Sequence, residues 1–296
     1  GLEFAIEIDF MSDATDQGLV RYLMRLTRSQ PLDLRKAGFD TRKIKNIISY
    51  RFLKTQQEYI EVLKLRREAY ASVRKLARDA DLVSVSYEND EYSRILTAWH
   101  ENRLVGSVNI SFADGVKVPF EFQKYISESD FAKLPSPDQI IEVTGLCTHH
   151  GYRKTDVLVG MFERMFQVMV TSGRSFFVAA SDKYLWRVYE TIGFKKTGIK
   201  YTVKKLHDLE LDVITVNRRV GAYGWEMDPM RWDELYHQIS DHLDMRGVLP
   251  KSARHRVVSP VYKMYIDIIK GLQESKMPGA DIMRNLLLNN QETRDE

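Results

Sequence analysis

Two basic residues, Arg153 and Lys154, follow Gly151 in the turn GYRK. The turn comes after the run QIIEVTGLCTHH and before a helical pattern that begins near Thr155. A strand, a basic glycine-bearing turn and a helix N-terminus together make an anion site. The first N–H groups of a helix have no partner within it, and the peptide dipoles add partial positive charge there. His149 and His150 are neighbours on a strand, so their side chains are expected on opposite faces and not on one metal ion. Cys147 reads as a small buried residue. Further along, the run YETIGF closes another helix at Gly193.

The elements that must position these residues are legible on either side. IISYRFLK reads as a strand that stops at TQQE, where Thr55 and Glu58 form a capping box for the helix EYIEVLKLRREAYASVRKLA. SRILTAWHENRLVGSVNISF reads as a hairpin with His100 to Arg103 at its turn. After GYRK, the residues Leu158, Met161, Phe162, Met165 and Met169 stripe one helix, a methionine-rich face suited to a core. SFFVAAS is a buried strand. Ser181 or Asp182 caps the next helix, which carries Leu185, Val188, Tyr189 and Ile192. IKYTVKKL and LELDVITVN supply a last strand pair. The sum is a mixed α/β sheet with helices on both faces.

Two flanking zones differ in pattern. Residues 1–45 open with the strand-like GLEFAIEIDF and continue into the helical QGLVRYLMRLTRS, with Leu19, Leu23 and Leu26 on one face. Residues 46–220 hold the alternating elements, and residues 221–296 form a helical extension. In that extension Asp228-Pro229 opens a helix striped by Leu235, Tyr236, Ile239 and Leu243 up to Gly247. Ser259-Pro260 opens a second with Val261, Met264, Tyr265, Ile268 and Leu272, and MPGADIMRNLLLNN reads as a third.

Composition narrows the class. The chain has 296 residues, of which 44 are basic and 41 acidic, for a net charge of +3. Charges so nearly balanced and so evenly spread give no basic stripe for nucleic acid. The single cysteine excludes an internal disulfide and a cysteine-built zinc site, so a reducing, cytoplasmic setting is the simplest reading. No stretch approaches the ~18 uncharged apolar residues that would span a membrane. Gly1 in place of an initiator methionine points to a chain trimmed at its start.

The order of strand, basic turn, helix, strand and the Tyr189–Gly193–Phe194 ending resembles the GNAT acyltransferase superfamily. LRREAY on the first long helix, ENDEYS before the hairpin and IIEVTGLC narrow the likeness to N-acyl amino acid synthases and acyl-homoserine lactone synthases. The resemblance spans roughly residues 46–205. It implies a GNAT-like mixed, mostly antiparallel sheet and transfer of a long acyl chain from acyl carrier protein to the amine of an amino acid. Acyl carrier protein or acyl-CoA is then a donor substrate, and no tightly bound cofactor is implied. Ser93 stands where the family motif has its second aspartate, Gly145 where an arginine follows the strand glutamate, and Asn109 where the hairpin has an arginine. These departures weigh against a lactone synthase with a sulfonium substrate.

The resemblance also assigns roles. Glu142 matches the strand glutamate that would take a proton from the attacking amine, directly or through a water. Tyr189 would protonate the departing thiolate. Thr144, Gly145, Leu146 and Cys147 would offer a backbone N–H to the thioester carbonyl, and Arg153, Lys154 and Thr155 would hold the phosphate of the pantetheine arm. Arg66, Glu88, Asp90 and Ser93 would line the acceptor side. Without the resemblance, Tyr189 reads as core, Glu142 as strand decoration and ENDEYS as a polar loop. An acetyl-CoA-dependent GNAT enzyme and a catalytically silent acyl-binding module that regulates a partner are the competing readings. The C-terminal helices would serve as a lid, an acyl-tunnel wall or a homodimer surface. GLEF and GLVRYLMRL are similar to the last strand and helix of PilZ domains, which bind cyclic di-GMP. The nucleotide-binding motifs of that family are missing here, and Arg21 and Arg25 do not replace them. That likeness implies a natural protein that continues upstream.

Overall fold

The computed structural model describes residues 13–73, 76–77, 79–206, 208–224, 227, 232–237 and 264. Seven strands form one sheet in the order β1-β2-β3-β4-β5-β7-β6. They are β1 (Ser49–Phe52), β2 (Ser93–His100), β3 (Arg103–Ser111), β4 (Ile140–Thr148), β5 (Phe176–Ser181), β6 (Lys195–Val203) and β7 (Leu209–Asn217). Only the β4–β5 pair is parallel. The helices are α1 (Asp13–Thr27), α2 (Pro31–Lys36), α3 (Gln56–Ser72), α4 (Glu128–Phe131), α5 (Val157–Ser172), α6 (Trp186–Thr191) and α7 (Arg218–Tyr223).

Alternation along the strands sorts the core into two faces. Leu96 and Ala98 of β2 and Ile141 and Val143 of β4 join α5 through Val157, Met161, Met165 and Met169, all buried. Ile95 and Trp99, on the opposite face of β2, pack against Val62, Leu65 and Ala69 of α3. The methionine-rich stripe is therefore core. Thr55 caps α3 as expected, its hydroxyl accepting from the Glu58 N–H at 3.2 Å, while Glu58 itself turns to Arg51 and to the Lys54 N–H. Gly173, at φ 76°, ends α5 in the left-handed conformation that only glycine enters without strain.

The N-terminal zone does not stand apart. Val20 and Met24 of α1, Leu34 of α2 and Ile44 share one core cluster with α5 and the sheet. The face of α1 that turns inward carries Val20 and Met24, and Leu26 is exposed, so the leucine stripe expected from spacing is displaced by part of a turn. At the other end Trp232, Leu235 and Tyr236 close over the same core, with a π-helical turn at Asp233–His237. The strand-like start at residues 1–10, the Asp228-Pro229 opening, Ile239 to Gly247 and the two last helices lie outside the described residues, apart from Met264, which is helical but exposed where the apolar stripe expected it to be covered.

One departure from sheet regularity builds the site. β4 pairs with β5 only from Ile140 to Val143, yet continues against β3 as far as Thr148. The register against β3 shifts between Ser107 and Asn109, opposite Gly145, whose φ is 61°. A bulge there bends β4 away from β5 and leaves its outer edge unpaired. Gly145 is required twice over, since a Cβ would also fall 3.1 Å from both Arg66 Nε and the Tyr87 ring.

Candidate active site

The opening between β4 and β5 is a cavity of about 380 Å³, within the ~300–1,000 Å³ of small-molecule sites. Thr144 to Thr148 form one wall and Ala180, Leu185 and Tyr189 the facing one. One end is polar, with Tyr70, Ser84, Ser86, Tyr87 and Arg153. The β6–β7 hairpin contributes an apolar arm of the lining through Val203, Leu206, Leu209 and Leu211, with Tyr201, Tyr125 and Glu121 also in the wall. The Thr144 hydroxyl is buried with no hydrogen-bond partner among the described residues. His149 donates its N–H to the Val105 carbonyl on the β3 side. By strand alternation Leu146 and Thr148 then present their N–H groups to the open side.

Tyr189 reaches the cavity from α6. Asp182, expected to cap that helix, holds the turn ahead of it, its Oδ1 accepting from the N–H groups of Tyr184 and Leu185 at 2.8 and 2.9 Å, and Leu185 is the N-cap. The Tyr189 ring stands edge-on to Phe194 at 5.3 Å. Gly193 between them has φ 89°, and a Cβ there would lie 2.4 Å from Val220. The spacing of tyrosine, glycine and phenylalanine thus records one packed turn. Burial pushes the phenol well above its ordinary pKa, so it keeps its proton at neutral pH. Burial also pushes the Cys147 thiol up, which leaves it a neutral neighbour of Ser107 at 3.3 Å and a poor nucleophile.

Glu142 is not on the cavity wall, contrary to the place expected for it. Its side chain shares the face of Ile140 and is 1% exposed. The carboxylate accepts from the N–H groups of Glu121 and Phe122 at 2.9 and 3.2 Å and from Asn89 Nδ2 at 2.9 Å. Burial pushes its pKa up to about 8, against the pull of those two backbone donors. Its geometry is that of an anchor for the segment Glu121–Phe122. The carboxylate that does line the cavity is Glu121, held at 2.8 Å from Lys124. Sequence reasoning missed Glu121 because the stretch between β3 and α4 has no helical or strand period to draw attention to it.

The residues expected on the acceptor side divide. Glu88, Asp90 and Ser93 line a second groove of about 700 Å³, which meets the first cavity at Ser86 and Tyr87. Glu88 is exposed and pairs with Lys124 at 3.0 Å, and Ser93 donates to the Asn89 carbonyl at 2.7 Å. Asp90 is already engaged. It accepts from Arg66 at 2.7 and 3.2 Å, from the Tyr59 hydroxyl at 2.7 Å, from the Tyr87 N–H at 3.1 Å and from Asn109. Burial alone would raise its pKa, but the charge and hydrogen bonds of Arg66 outweigh that and hold it below the ordinary value. Arg66 is fully buried, lines neither cavity and also donates to Asn109 Oδ1, so it is an internal ion pair and no acceptor ligand. It occupies the space beside Gly145 and Asn109.

The basic turn is likewise split. Arg153 lines the cavity and donates to Ser72 Oγ at 2.7 Å. Lys154 is exposed with φ 63°, and Thr155 donates to the Tyr152 carbonyl while receiving the Val157 N–H. The helix begins at Val157, two residues later than expected. His149 leaves the strand into a tight turn, and its ring lies 4.3 Å from that of His150, where strand alternation would have parted them. Among the described residues no group of three metal-ligating side chains gathers, and no helix is long and apolar enough to cross a membrane.

The model of the family described as N-acyl amino acid synthase FeeM matches residues 61–217, more than half of the chain. No curated protein matches. Solved structures that resemble the chain include FeeM, an N-acyl amino acid synthase from uncultured soil microbes, at 12% identity and TM-score 0.48 over 58% of this chain and 90% of that one. The acyl-homoserine lactone synthase LasI resembles it at 12% identity and TM-score 0.45, over 60% and 95%. BjaI, a CoA-dependent acyl-homoserine lactone synthase solved with SAM and isopentyl-CoA, does so at 17% and 0.44, over 69% and 90%. With more than half its length matched by that model, the chain belongs to the FeeM family of N-acyl amino acid synthases and is an N-acyltransferase.

Proposed function

We propose that the enzyme moves a long acyl chain from acyl carrier protein to the amine of an amino acid. The observation that carries this reading is the apolar arm: an acetyl group would leave Leu206, Leu209 and Leu211 facing empty space, whereas a long chain covers them. The carrier-bound arm enters at the polar end, its phosphate toward Arg153. The thioester carbonyl sits against the unpaired edge of β4, where the N–H of Leu146 or Thr148 stabilises the oxyanion.

The amine approaches from the second groove, which carries Glu88 and Glu91 beside Lys54 and Arg94. An α-amino group has a reference pKa of ~7.7–8.0, so most of it must lose a proton before it attacks. Glu121 takes that proton, and Glu142 holds the Glu121 backbone where it can do so. As the C–N bond forms and the C–S bond breaks, Tyr189 gives its proton to the thiolate and regains one through solvent.

Leu209→Trp fills the arm without touching the reacting groups. Comparing kcat/KM for hexadecanoyl and butanoyl carrier protein, the variant is expected to lose about tenfold or more on the long donor and under about twofold on the short one, the scale of a few buried methylenes. Equal losses on both donors would remove the arm from the account.

A further inference from the structure

Residues 30–45 lie outside the span that matches the family model, yet they are fastened to the turn between β4 and α5. Arg35 of α2 donates from Nη2 to the Arg153 carbonyl at 2.9 Å and from Nε to the buried Thr41 hydroxyl at 3.2 Å. The Asp156 carboxylate accepts from the N–H groups of Ile44 and Lys45 at 2.6 and 2.7 Å, and its own N–H donates to the Arg42 carbonyl at 2.8 Å. Gln30 lies so close over Gly151 that a Cβ there would fall 1.8 Å from the end of its side chain. With its amide oxygen turned to Arg103, Gln30 accepts at 2.8 and 3.2 Å. Arg103 in turn contacts His149, whose Nδ1 accepts the Gly151 N–H at 3.1 Å.

The turn is thus held at its start, middle and end by a segment from elsewhere in the chain. It carries Lys154 in a left-handed conformation that a non-glycine residue rarely adopts unaided. Its product is the placement of Arg153 at the cavity, between the Arg35 tie on its carbonyl and the Ser72 hydroxyl on its guanidinium. A cation fixed in advance binds an anion without first being ordered.

We infer that residues 30–45 are a working part of the acyl-donor site, and that Arg35 is a positioning residue acting through Arg153 on the phosphate-bearing arm of the donor. The inference rests on the donor reading above. A brace that merely stabilises the fold lowers the unfolding temperature and leaves donor affinity alone. A positioning brace weakens donor binding, and that effect disappears once Arg153 has no guanidinium to place.

The test is a binding cycle on the full chain, with a hexadecanoyl phosphopantetheine analogue whose thioester sulfur is replaced by methylene. Calorimetry is run on wild type, Arg35→Ala, Arg153→Ala and the double variant. Arg35→Ala is expected to raise Kd by about tenfold, and by less than about twofold when Arg153 is already alanine, the pattern of coupled sites. Should Arg35→Ala not fold, Arg35→Lys keeps a cationic donor and is expected to bind with an intermediate Kd. Wild-type affinity in the Arg35 variants, or equal losses in both backgrounds, would overturn the inference while the donor reading stands. Failure of the wild type to bind the analogue would overturn both.

Discussion

Asp90→Ala is expected to destabilise the enzyme by about 3–5 kcal/mol, because it leaves the Arg66 guanidinium buried without its counter-charge. Arg66 is wholly inaccessible and Asp90 nearly so, and the pair is tied to Asn109, Tyr59 and the Tyr87 backbone. A buried ion pair contributes little net stability against a well-packed apolar substitute, but half of one is costly. Arg66→Met combined with Asp90→Ala is therefore expected to recover more than half of the loss. For a protein of this size the single variant should unfold ~10 °C lower, at ~2–4 °C per kcal/mol. Thermal unfolding of the three proteins settles the matter: a drop of a few degrees, or a double variant worse than the single one, would mean that the network does not hold α3 to the sheet.

The second large effect is on turnover. Tyr189→Phe keeps the ring against Phe194 and removes only the hydroxyl, for which no hydrogen bond is found among the described residues. Stability is expected to hold, and kcat to fall by about 10² or more, the lower range for a positioned proton donor. Because the leaving thiolate is protonated in the transition state and not in the bound substrate, KM should hardly change. A kcat within about twofold of wild type would make Tyr189 a packing residue.

What the sequence disclosed was what periodicity and turn chemistry encode. The α5 stripe, the Thr55 cap, the hairpin at His100 to Arg103 and the tyrosine–glycine–phenylalanine ending all depend on neighbours within a few residues. What it hid depends on contacts between distant segments. Glu142 is a strand glutamate in either reading. Only the arrival of Glu121 and Phe122 from the irregular stretch after β3 turns it from a cavity residue into an anchor. Arg66 and Asp90 are charged residues on a helix and in a loop, and nothing local says that they cancel each other in the interior. Arg35 gives no signal at all, since a basic residue in a short helix is ordinarily solvated. The apolar arm was invisible for a related reason: Leu206, Leu209 and Leu211 straddle a hairpin turn, and their shared cavity exists only because β4 bends away at Gly145.

The most direct test of the central claim, that the β4–β5 opening carries out long-chain N-acyl transfer, is product analysis with the purified full chain. The protein is mixed with hexadecanoyl acyl carrier protein and an equimolar set of amino acids, and the mixture is followed by mass spectrometry. The expected result is an N-hexadecanoyl amino acid formed in step with free carrier thiol, with acetyl-CoA giving at least about tenfold slower acylation of the same amines, consistent with the empty arm. Thioester that survives unchanged, or that is lost only to hydrolysis while acetylated amines accumulate, would contradict it.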